Sequence, residues 1–105
     1  MRTVDTTKEH TYKFYADAGH GWLAVKLSKL IELNLVGHIT GYSYIRGKTA
    51  YLEEDFDMYQ FVKAYEQKHG FKPMYTYKHT KGDHSPIRSY DGFSISNVNK
   101  AFSKE

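Results

Sequence analysis

The chain has 105 residues, 40% of them apolar and 26% charged, and a net charge of +3. This is one domain's worth of sequence, able to bury a modest core. It contains no cysteine, which excludes a disulfide framework, a zinc ribbon, Fe–S ligation and thiol catalysis.

Residues 1–10 are polar and read as a flexible lead-in. Tyr12, Phe14 and Ala16 then alternate with Thr11, Lys13 and Tyr15, the period-2 signature of a strand. Gly19-His20-Gly21 predicts a tight turn, and the alternation resumes from Trp22 to Lys26, which gives a first hairpin. Ser28 is placed as an N-cap for a short helix through Leu30, Ile31, Leu33 and Leu35, with Gly37 as its stop. Ile39 to Arg46 and Thr49 to Glu53 form a second hairpin around Gly47-Lys48. In its first strand Tyr42, Tyr44 and Arg46 share one face.

Asp55 is the expected N-cap of the strongest helix, in which Met58, Phe61, Val62, Tyr65 and His69 recur at helical spacing. Gly70 and Pro73 mark its end. Met74 to Lys78 reads as a fifth strand, residues 79–92 are turn-rich, and residues 93–105 read as a weakly ordered tail. The expectation is a single α+β domain over residues 11–92 in the order β-β-α-β-β-α-β. Its sheet is antiparallel, with two helices on one face.

The longest apolar run, Trp22-Leu23-Ala24-Val25, is far short of the about 20 residues a membrane-spanning helix needs. The opening MRTVDTTKEH carries no apolar signal segment. These features predict a cytoplasmic protein that does not engage a membrane. Charge is unevenly placed: Glu53, Glu54, Asp55 and Asp57 form an acidic spot in a basic background. Aromatic residues make up 16% of the chain, which suits either a small core of large side chains or a tyrosine-rich contact face.

The runs ADAGHGWLAV (16–25), YSYIRGKTAYLEEDFD (42–57) and SPIRSY (85–90) resemble a family of small proteins encoded by phages and plasmids. The family pattern is a GHGWL turn, a YSYxxG hairpin, a YLEED segment and a late PIRxY. The similarity spans about residues 11–92, with Phe56 standing where relatives carry a cysteine. It implies a mobile-element accessory protein, such as a host-takeover or anti-defence factor. It implies no reaction.

Four constellations are candidates for chemistry. His20, between two glycines and three residues from Asp17, is either a polar site or a turn histidine bonded to nearby backbone. His79, Asp83 and His84 are weak candidates for metal ligands, or a solvated loop. Glu53 and Glu54, with Asp55 and Asp57, are an acidic site or simply a helix N-terminus. Tyr42, Tyr44, Arg46, Lys48 and Arg88 would stack bases and neutralise phosphates if their sheet face is open. Trp22 joins them as a contact residue on compositional grounds.

No phosphate loop, HExxH motif, nucleophile elbow or RNP signature is present, and no cofactor is expected. The leading expectation is a non-enzymatic binding module for a host protein. A nucleic-acid or nucleotide binder using the Tyr/Arg/Lys face is the alternative, and a small metal-dependent enzyme the second alternative.

Overall fold

The computed structural model describes residues 8–80, 82 and 84–103. Six strands form one mixed sheet: β1 (Thr11–Ala16), β2 (Gly21–Lys26), β3 (Tyr44–Arg46), β4 (Thr49–Glu53), β5 (Met74–His79) and β6 (Asp91–Gly92), in the spatial order β5-β1-β2-β4-β3-β6. Three α-helices lie among the described residues: α1 (Leu27–Glu32), α2 (Asp57–His69) and α3 (Ile95–Ser103). The α+β class stands, but the all-antiparallel sheet with two helices does not. β5 runs parallel to β1, with Thr11 opposite Met74 and Ala16 opposite His79. A short β6 pairs with β3, and residues expected as a tail form α3, which buries Val98.

The core lies on one side of the sheet. Phe14, Leu23, Val25, Ile45, Ala50 and Leu52 supply the strand side, and Leu27, Leu30, Phe61, Tyr65 and Val98 supply the helices. Period-2 alternation sends the other half of each strand to the opposite face. Phe14 also explains Gly21: a Cβ there would lie 2.3 Å from Phe14 Cζ, so the ring occupies the space a side chain would need.

Helix boundaries depart from the expected caps. α1 begins at Leu27, because Leu27 and Leu30 are both buried, and Ser28 sits inside the helix without a capping bond. The chain leaves α1 through Asn34, whose φ of 62° is the left-handed conformation asparagine tolerates. Gly37 falls in a later 3-10 turn, Val36–His38. Asp55 does not cap α2. The Glu53 carboxylate does so from the end of β4, accepting the backbone N–H groups of Asp55, Phe56 and Asp57 at 2.7–2.9 Å. Asp57 is fully buried and turns the other way, accepting from the Thr40 and Ser43 hydroxyls at 2.7 and 2.6 Å. It thereby fastens the loop before β3 to the first turn of α2. Gly70, with φ of 83°, closes α2 as expected.

Candidate functional site

The strand register defines the face turned away from the α-helical core, which the 3-10 turn Pro86–Ser89 and Tyr90 cover at the Trp22 end. Tyr15 sits opposite Trp22, Trp22 opposite Glu53, Ala24 opposite Tyr51, and Tyr51 opposite Tyr44. Lys26 and Arg46 each sit opposite Thr49, and Tyr15 lies beside Lys78 of β5. Among the strand positions of this surface are four cations, Lys13, Lys26, Arg46 and Lys78, and one acid, Glu53; Glu9 and Glu32 border it at the groove beside α1. Glu53 is already held by the α2 N-terminus. Burial pushes its carboxyl up, but the three backbone N–H groups bring it below its ordinary value.

Tyrosines form a band across this surface. The Tyr15 and Tyr51 rings are 6.1 Å apart and those of Tyr51 and Tyr90 are 5.2 Å apart. The Arg46 guanidinium lies 5.0 Å from the centre of the Tyr90 ring. Burial, then Tyr90 and Tyr15, push the Tyr51 hydroxyl up, so it stays neutral and able to donate. Beside α1 the face sinks into a groove of about 660 Å³ lined in part by Lys13, Tyr15, Lys26 and Tyr51.

The loop end of the sheet is organised around Asp17. Its carboxylate accepts the Gly19 and His20 backbone N–H groups at 3.0 Å each and that of Ser85 at 2.8 Å. Arg88 adds Nε at 2.8 Å and a terminal nitrogen at 3.0 Å. That guanidinium, helped by the Ser85, Gly19 and His20 N–H groups and opposed by burial, holds Asp17 far below the usual carboxylate range. Five donors leave this carboxylate no basicity for proton abstraction; it is a tie between two loops. The same Arg88 nitrogen reaches His20 Nδ1 at 2.9 Å. A guanidinium only donates, so Nδ1 accepts and the ring proton lies on Nε2. His20 stacks on Trp22 at 6.0 Å, and Arg88 lies 5.4 Å from the Trp22 ring centre.

The predicted residues therefore divide. Tyr44 and Arg46 lie on the face turned away from the α-helices. Trp22 is on it too but is only 2% exposed beneath His20 and Arg88, so it supports the surface instead of presenting a contact. Arg88 holds Asp17 with a side chain that stays one-quarter exposed. Tyr42 precedes β3 in a turn and is 81% exposed. Lys48, in the β3–β4 turn, lies 5.2 Å from the Phe102 ring centre. Glu54 is exposed beside the α2 N-terminus. His79 ends β5 and His84 is exposed; Asp83 lies outside the described residues. Among the described residues no three His, Asp or Glu side chains converge on a metal-sized site.

Sequence reasoning missed Lys13, Tyr15, Lys26, Tyr51, Lys78 and Tyr90. The signal for Lys13 and Tyr15 was present, since they alternate with the core residues Tyr12, Phe14 and Ala16. Tyr90 had no local signal. A second polar knot lies behind the groove. His10 Nδ1 bonds the Tyr65 hydroxyl, and Lys29 Nζ donates to His69 Nε2 at 3.0 Å. Burial, then Lys29 and His10, push His69 below its ordinary value, consistent with an accepting, neutral ring.

No family model, curated protein or solved structure matches the chain. No helix among the described residues is long and apolar enough to cross a membrane.

Proposed function

We propose that this protein is a non-enzymatic binding module, the accessory protein of a phage or plasmid, and that it takes single-stranded nucleic acid across the sheet face turned away from its α-helices. The observation that carries this reading is the composition of that face's strand positions: Lys13, Lys26, Arg46 and Lys78 against Glu53, interleaved with Tyr15, Tyr44 and Tyr51. Cations neutralise phosphates and release counterions, while tyrosine rings stack bases without regard to sequence. Six strands about 4.8 Å apart make a surface about 24 Å wide, long enough for several nucleotides.

A second reading, a surface for a host protein, is favoured by the rings of Tyr42, Phe56 and Tyr59, which are 81%, 52% and 58% exposed. Phe56 and Tyr59 stand three residues apart at the start of α2, close in sequence to Glu54 and Asp55.

Fluorescence anisotropy with a labelled (dT)12 strand, titrated over a salt series, tests the first reading. Binding that weakens steeply with salt, and by tenfold or more in Arg46→Glu without a change in melting, is the expected result. No binding, or binding indifferent to salt, overturns it. One host protein captured after nuclease treatment, and lost in a Tyr42→Ala/Phe56→Ala variant, would establish the second reading instead.

A further inference from the structure

We infer that the groove beside α1 is a nucleotide subsite, built to hold one aromatic base together with its phosphate. This rests on the sheet-face reading above and deepens it by naming where the strand is gripped.

The groove volume, about 660 Å³, falls within the roughly 300–1,000 Å³ of small-molecule pockets. It joins two chemistries that a nucleotide needs and an inorganic anion or an apolar ligand does not. The first is aromatic: Tyr15 and Tyr51 meet at 61° with centroids 6.1 Å apart, so a base stacked on one ring meets the other edge-on. The second is cationic. Lys13 and Lys26 line the groove from β1 and β2, are exposed, and have no acidic partner among the described residues.

Lys29 lines the groove as well, but its ammonium is fixed by Glu32 Oε2 at 3.0 Å and by His69 Nε2 at 3.0 Å. It adds field without having to move. Two acids share the lining, Glu9 and Glu32. Glu32 is offset by Lys29, and by Lys68 at 3.7 Å; Glu9 is exposed, and its neighbour His10, 4.0 Å away, balances it only when protonated. Three lysines against two carboxylates leave the lining positive by one charge. The hairpin residues Tyr44 and Arg46 lie farther along the same face across β4 and β3, so a strand seated in the groove continues toward Arg46.

The ligand chemistry, a base carrying phosphate, has two sources: a free nucleotide, or one residue of a strand. Calorimetry at low salt with AMP and with (dT)12 separates them. The proteins compared are the wild type, Lys13→Ala/Lys26→Ala, Arg46→Ala and the equal-charge control Lys63→Ala/Lys72→Ala. For a strand residue, the groove variant should weaken (dT)12 tenfold or more. It should also lower the magnitude of the log–log salt slope by about 1.4, at about 0.7 per lost phosphate contact. The control should bind as wild type, and Lys13→Arg/Lys26→Arg should restore most of the affinity. For a free nucleotide, AMP binds with the same dependence on Lys13 and Lys26, and (dT)12 does not bind.

Groove and control variants that weaken binding equally would reduce the effect to diffuse charge and overturn the subsite. So would a groove variant that binds (dT)12 as wild type while Arg46→Ala does not; the sheet-face reading would then survive alone. Failure of both probes to bind the wild type would overturn both. All the lysines substituted are exposed, and unchanged circular dichroism confirms that each variant is folded.

Discussion

Arg88 grips Asp17 across 71 positions of the chain, with Nε 2.8 Å from one carboxylate oxygen and a terminal nitrogen 3.0 Å from the other. The carboxylate is fully buried and the guanidinium one-quarter exposed, so the pair joins the β1–β2 turn to the 3-10 turn Pro86–Ser89. Gly19 belongs to the same arrangement, since a Cβ there would stand 3.2 Å from the Arg88 terminal nitrogen.

A pH dependence follows. The Asp17 carboxyl has a folded pKa well below its ordinary value of 3.8, so below that value the unfolded chain binds the extra proton. Its contribution to stability is complete above the unfolded pKa and is lost as pH falls through the folded one. Asp17→Asn should lower the melting temperature at pH 7 and flatten the fall in stability below pH 4. Thermal melts from pH 2 to 7 check this; parallel acid limbs in the two proteins would contradict it.

Trp22→Ala should cost about 3–5 kcal/mol in urea denaturation, the range for deleting a buried aromatic ring. An exposed contact residue would cost within about 0.5 kcal/mol. The ring is covered by His20 and Arg88, so wild-type tryptophan fluorescence should also resist acrylamide quenching and become accessible in Arg88→Ala.

Glu53→Ala removes the acceptor for three backbone N–H groups at the start of α2 and should cost about 1 kcal/mol, as loss of an N-cap does. Glu53→Gln keeps one acceptor oxygen and should lose less. Amide exchange should speed up at Asp55, Phe56 and Asp57, with little change at Gly70.

Gly21→Ala drives a methyl into Phe14 and should cost about 1–3 kcal/mol by overpacking. Phe14→Leu shortens the obstacle. A double-mutant cycle should therefore show the pair less destabilised than the sum of the two single changes.

The hairpin turns were legible because each rests on adjacent residues. Residues 39–43, expected as the start of the second hairpin, are not strand: β3 is only Tyr44–Arg46, and Tyr42 lies in the turn before it. Leu23 and Val25 announce β2, and Gly47, with φ of 59°, announces the turn between β3 and β4. Gly70 was legible as the end of α2 for the same reason. The place of β5 was not: Met74 and Thr11 pair across 63 residues, and nothing in Met74–His79 distinguishes a parallel neighbour from an antiparallel one. The Asp17–Arg88 pair was hidden in the same way, with each residue read as a separate surface feature. Trp22 misled because tryptophan is common at interfaces and in small cores alike. The second polar cluster, His10 with Tyr65 and His69, required knowing that the segment before β1 returns to the far end of α2.

The parallel seam between β1 and β5 sets an order on synthesis. When β1 to β4 have left the ribosome, one long side of β1 still has no partner, and it waits until Met74–His79 follows. At about 5–20 residues per second that interval lasts about 1–5 seconds. During it the nascent chain exposes the backbone of Thr11–Ala16 to neighbouring chains on the same message, which makes the late strand a self-shielding element as much as a structural one.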